Sequence, residues 1–180
     1  MNGREIARMD SITPLFTEEQ IAERVSALGA EISADYAGCE KLHIICVLKG
    51  STLFTSDLLR RITVPTELHF VRICSYAGTQ STGVLRMQYS DVPDLREQHA
   101  LIVEDIIDTG RTLHLLTVLY KEKAPASLRV CTLLDKPSRR VVQLTPEYIG
   151  FTIPDRFVIG YGMDYDEAYR GLPYIGELHS

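Results

Sequence analysis

Apolar positions along the chain follow two patterns. The first is helical. Ile21, Val25, Leu28 and Ile32 recur at alternating steps of four and three, behind a Thr17–Gln20 pair with capping-box spacing. A helix is expected from Thr17 onward, with Gly38 suited to close it. Apolar residues at 53, 54, 58 and 59 predict a second helix over 52–61, and a third is expected over 112–120. The second pattern is a nearly continuous apolar run, as in Leu42-His43-Ile44-Ile45-Cys46-Val47-Leu48. Such a run reads as a strand buried on both faces, and 100–103 and 128–134 repeat it. Segment 66–74 is a further strand, and 148–151 and 157–160 are short late ones. Strands that alternate with helices imply an α/β fold, a mainly parallel central sheet with helices on both faces. Between them, 76–86 is polar and glycine-containing, a long exposed loop of the kind that often serves as a lid.

The 180 residues suffice for a single domain over 1–180 with a full core. Hydrophobic residues at 45% and charged residues at 24% exclude disorder, collagen and coiled coil. The apolar runs are too short to span a bilayer, and the polar start is no secretory signal, so a cytoplasmic protein without membrane partners is expected. A net charge of −5 opposes nucleic-acid binding by the whole molecule. Four cysteines lack any Cys-x-x-Cys pair and read as free, buried, reduced thiols. The five histidines, at 43, 69, 99, 114 and 179, show no zinc-ligand spacing.

The chemistry concentrates in Leu101-Ile102-Val103-Glu104-Asp105-Ile106-Ile107-Asp108-Thr109-Gly110-Arg111-Thr112-Leu113. A buried strand runs into two adjacent carboxylates, and a third opens a Thr-Gly-x-Thr loop at a helix start. In open α/β sheets ligands bind at the carboxyl ends of strands. The loop offers two hydroxyls, glycine backbone and helix N-terminal N–H groups, which together cradle a phosphate. The acid pair suits sugar hydroxyls or magnesium, a cation that takes oxygen ligands. Helix capping by Asp108 and Thr109 alone would account for less of the pattern, and no Walker loop is present.

This segment resembles the phosphoribosyl-pyrophosphate motif of type I phosphoribosyltransferases. Val47-Leu48-Lys49-Gly50-Ser51 and Ser75-Tyr76 also fit that family. Leu134-Asp135-Lys136-Pro137 and the block from Phe157 through Tyr165 to Tyr169-Arg170 resemble its 6-oxopurine branch. The likeness runs over about residues 12–178. It implies a small hood built from the N- and C-terminal segments. It also implies a purine-salvage transferase that takes phosphoribosyl pyrophosphate and hypoxanthine or guanine to the nucleoside monophosphate and pyrophosphate. The cofactor would be Mg2+, with Mn2+ as a substitute, and the assembly a homodimer or homotetramer.

The resemblance also assigns roles. Asp108 hydrogen-bonds N7 of the base and acts as general base. Thr109, Gly110, Arg111 and Thr112 hold the 5′-phosphate, Arg111 through its backbone N–H. Glu104 and Asp105 hold the ribose hydroxyls and the metal. Lys49 and Gly50, with a cis peptide before the lysine, form the pyrophosphate loop together with Arg170, and Asp164 serves a second metal. Lys136 donates to the purine 6-oxo group, Phe157 stacks on the base, and the Val158 carbonyl reads its edge. Ser75 and Tyr76 begin a mobile lid. Taken singly, Lys49-Gly50-Ser51 would be a strand-to-helix turn, Lys136 a surface lysine, Phe157 a core aromatic, and Asp164 and Arg170 exposed charges. A competing reading is an RNA-binding regulator on the same fold, which would need a basic face.

Overall fold

The computed structural model describes residues 12–75 and 85–179. In chain order these form β1 (Ile12–Phe16), α1 (Glu18–Asp35), β2 (Leu42–Leu48), α2 (Thr52–Leu59), β3 (Thr66–Ser75), β4 (Leu85–Ser90), β5 (His99–Ile107), α3 (Arg111–Lys121), β6 (Ser127–Asp135), β7 (Tyr148–Thr152), β8 (Val158–Ile159) and β9 (Ile175–Leu178). The central sheet has the order β4-β3-β2-β5-β6-β7. All its pairings are parallel except the antiparallel edge strand β4.

Alternation along each strand sends successive side chains to opposite faces. Ile44, Leu101, Val103 and Leu133 pack under α1 and α2, against Ile21, Val25, Leu28, Phe54 and Leu58. Ile45, Val47, Ala100 and Ile102 pack on the other face against Leu113, Leu116 and Tyr120 of α3. Each fully buried Leu or Ile contributes about 2 kcal/mol, and the two layers hold the carboxyl ends of β2, β5 and β6 side by side.

Helix α1 begins where the capping box places it: Gln20 N donates to Thr17 Oγ1 at 3.3 Å, and Thr17 N donates to Gln20 Oε1 at 2.9 Å. It ends at Asp35, and Gly38 takes up a left-handed φ of 83° just beyond. The hood is a second sheet, β1-β9-β8, which ties the first described strand to the last through Ile12 opposite Leu178. β1, β4 and β9 were not evident from the hydrophobic pattern. The loop expected over 76–86 gives way to β4 from Leu85, and its tip lies outside the described residues.

Cys46 and Cys131 are buried, whereas Cys39 and Cys74 are only half-buried, against the expectation of buried thiols. His43 and His69, distant in sequence, meet on neighbouring strands with Nδ1 and Nε2 2.9 Å apart. Their ring centroids are 5.2 Å apart and their planes 23° from parallel. The rings therefore lie in line, as an N–H···N hydrogen bond requires, and do not fan around a shared ion.

Candidate active site

The carboxyl end of β5 carries Glu104 and Asp105. Glu104 is 8% exposed. Burial, reinforced by the charge of Asp105, pushes its carboxyl well above the usual range. Burial also raises Asp105, partly offset by its hydrogen bonds to Glu104 and backbone N–H groups. Two adjacent buried acids oppose each other's ionisation, and a hard dication or sugar hydroxyls would relieve them. The donor set is all oxygen and fits magnesium.

Two glycines let loops close on this pair. A Cβ at Gly50 would stand 1.7 Å from Asp105 Oδ2, and one at Gly162 would stand 2.0 Å from the Gly50 carbonyl oxygen. Only glycine fits either place, and Gly162 also has φ of 101°. The Lys49–Gly50 turn, preceded by a cis Leu48–Lys49 peptide, is thereby pressed against the acid pair.

Beyond Glu104 the strand opens into a cleft of about 220 Å³. It is lined by Val47, Leu48, Glu104 and the loop from Asp108 to Thr112. Gly110, at φ 81°, is the N-cap of α3 and supplies no side-chain cap. Thr109 Oγ1 accepts only a long 3.5 Å bond from Arg111 N. The first N–H groups of α3 are thus presented at a ready-made anion site. The Arg111 residue as a whole is exposed, in keeping with a backbone role.

The base side is assembled from the segment after β6. Lys136 is 7% exposed, not the surface lysine that its sequence setting suggests. Its ammonium donates to the Arg156 carbonyl, which leaves two of its three protons for another acceptor. Phe157, in contrast, is 53% exposed and no core residue. It meets Tyr165 edge-to-face at 5.7 Å, and its exposure leaves ring surface on which a planar base could stack. Val158 is buried in β8. Asp108 is ion-paired to Arg139, Nε to Oδ1 at 2.7 Å, and Arg139 also holds Asp155 at 3.1 Å. Sequence reasoning passed over Arg139, because an arginine in a short turn after Pro137 carries no motif.

Around Lys49 and Arg170 stands a second residue that carries no sequence motif, Glu167. Lys49 Nζ donates to both oxygens of Glu167, at 2.9 and 3.0 Å. Arg170 Nη2 lies 2.8 Å from Asp164 Oδ1 and 3.2 Å from Glu167 Oε2, while Nη1 donates to the Gly162 carbonyl at 2.7 Å. Asp164 Oδ2 accepts from Glu167 N at 2.9 Å. Both oxygens of Asp164 are therefore engaged by protein donors, as is Asp105 Oδ1 by the Ile106 N–H at 2.9 Å. Ser75 is the last residue of β3, while Tyr76 and the expected lid lie outside the described residues.

Comparisons with known proteins identify the fold. The phosphoribosyl transferase domain family matches residues 11–166. A hypoxanthine-guanine phosphoribosyltransferase of Streptococcus pneumoniae is 45% identical over 165 residues, 91% of each chain. A crystal structure of such an enzyme from Bacillus anthracis superposes with a TM-score of 0.87 at 43% identity, covering 93% of this chain and 98% of that one. The hypoxanthine phosphoribosyltransferase of Trypanosoma cruzi, solved with its product IMP, superposes with a TM-score of 0.86 at 42% identity. It covers 92% of this chain and 93% of that one.

Proposed function

The chain belongs to the phosphoribosyltransferase family, in its hypoxanthine-guanine branch, and we propose that it runs that branch's reaction on the side chains described above. A purine base displaces pyrophosphate from C1 of phosphoribosyl pyrophosphate and yields IMP from hypoxanthine or GMP from guanine. The observation that carries the assignment is the cleft at the end of β5, where Glu104, Asp108 and the uncapped start of α3 converge.

The division of labour follows from charge and geometry. Thr109 to Thr112 bind the 5′-phosphate through hydroxyls and helix N–H groups. Glu104 and Asp105 hold the ribose hydroxyls, and they are the residues that would hold magnesium. That ion supplies charge neutralisation of the departing pyrophosphate. Lys49 and Arg170 supply fixed positive charge on the same side. Arg170 Nε, buried and without an acceptor among the described residues, fits an incoming anionic oxygen. Lys136 and Phe157 orient the base by hydrogen bonding and stacking, and Asp108 takes the N7 proton as N9 bonds to carbon. Magnesium, a homodimeric or homotetrameric state and a cytoplasmic location belong to the same proposal. The RNA-binding alternative finds no support in a chain of net charge −5 whose relatives are purine transferases.

Asp108→Asn tests the assignment. The amide keeps the shape and still faces Arg139, but it loses the basic oxygen. Turnover is expected to fall about a hundredfold, within the usual range for removal of a general base. Stability should change little, since the lost ion pair is half-exposed. Wild-type turnover in this variant would remove Asp108 from the general-base role.

A further inference from the structure

Lys49 and Arg170, the two cations assigned to pyrophosphate, converge on a single carboxylate. Glu167 receives Lys49 through both oxygens and Arg170 through one of them. Two cationic side chains on two oxygens reproduce the way such groups grip a phosphoryl unit. The loop is built to aim this carboxylate. Asp166 and Glu167 hold left-handed φ values of 49° and 65°, a conformation that non-glycine residues rarely adopt. The Asp164 carboxylate holds the Glu167 N–H at 2.9 Å, and Tyr165 bridges to Ala168 on either side of the bend. Asp164 and Glu167 also share Arg170 Nη2, so the arginine is anchored while the lysine is held by Glu167.

Resting on the functional reading above, we propose that Glu167 is an internal counter-anion that competes with pyrophosphate for Lys49 and Arg170. It positions the two cations and sets the affinity for the leaving group. A carboxylate that satisfies both cations must yield them before they serve a pyrophosphate oxygen. It can also reclaim them when the product departs. Binding of the leaving group is therefore weaker than Lys49 and Arg170 alone would make it, and release is faster. Product release limits turnover in many enzymes, so a weakened grip on pyrophosphate favours cycling.

The test is pyrophosphate affinity, measured by calorimetry with magnesium present and as inhibition against phosphoribosyl pyrophosphate. Wild type is compared with Glu167→Gln and Glu167→Asp. Removing an exposed ion pair predicts pyrophosphate binding tighter by about three- to tenfold in Glu167→Gln. The KM for phosphoribosyl pyrophosphate should fall, and kcat should not rise with it. Glu167→Asp keeps the charge but shortens the reach, so it should also tighten binding. If net charge alone mattered, the aspartate variant would behave as wild type, and that result overturns the proposal. Unchanged or weaker binding in Glu167→Gln also overturns it. IMP affinity serves as the folding control and should stay constant in both variants. Failure of the wild-type protein to bind pyrophosphate would remove the functional reading and this proposal with it. Binding in wild type with no gain in Glu167→Gln removes the counter-anion alone.

Discussion

Adenine is expected to be used about 10⁴-fold less efficiently than hypoxanthine, measured as kcat/KM for the two bases. Lys136 sets this discrimination. An ammonium has three donors and no acceptor. Lys136 spends one proton on the Arg156 carbonyl and is buried, so water has little access to satisfy the rest. The 6-oxo group of hypoxanthine or guanine accepts one of the remaining protons. The 6-amino group of adenine sets donor against donor, which leaves a buried charge without its partner at a cost of several kcal/mol. Lys136→Ala should lose most activity toward hypoxanthine and narrow the ratio between the bases. The ratio is the useful quantity, because a change in folded fraction cancels from it. Comparable kcat/KM for the two bases in wild type would show that Lys136 does not read position 6.

Chelation of divalent metal is expected to reduce turnover about a thousandfold or more, because the charge stabilisation that metals provide amounts to several kcal/mol. Pyrophosphate carries several negative charges as it leaves. Lys49 and Arg170 cannot balance them alone, since Glu167 and Asp164 already draw on both cations. Magnesium added back to the chelated protein should restore the rate. Its affinity should also weaken on acidification from a higher pH than an ordinary carboxylate pair would show, because burial and Asp105 hold the Glu104 carboxyl up. Robust turnover in excess chelator would refute metal dependence.

The parts of this fold that could be read from the sequence are those whose causes are local. β2, β5 and β6 are buried on both faces over most of their length and so are written as nearly continuous apolar runs, while the Thr17–Gln20 pair marks the start of α1. Of the hood, only β8 was legible from pattern, inside the short strand expected over 157–160. β1 and β9 find each other across nearly the whole chain, a long-range pairing that leaves no local trace. β4 is a mostly exposed edge strand without a clean apolar alternation.

The same division holds in the site. Glu104 to Thr112 are contiguous, and their order alone suggests phosphate and metal chemistry. Lys136 and Phe157 were each misjudged in isolation. Burial of a lysine depends on the Arg156 carbonyl, twenty residues away, and exposure of a phenylalanine depends on where β8 begins. Arg139 and Glu167 are single charges on turns, and only the fold brings them onto Asp108 and Lys49.

The most direct measurement is product formation by the purified protein. It is supplied with phosphoribosyl pyrophosphate, magnesium and either hypoxanthine or guanine, and nucleotide and pyrophosphate are quantified together. Equal amounts of IMP or GMP and pyrophosphate are expected, with no turnover when the base is omitted. Unchanged base with no nucleotide formed, above all alongside tight and salt-sensitive RNA binding, would contradict the assignment.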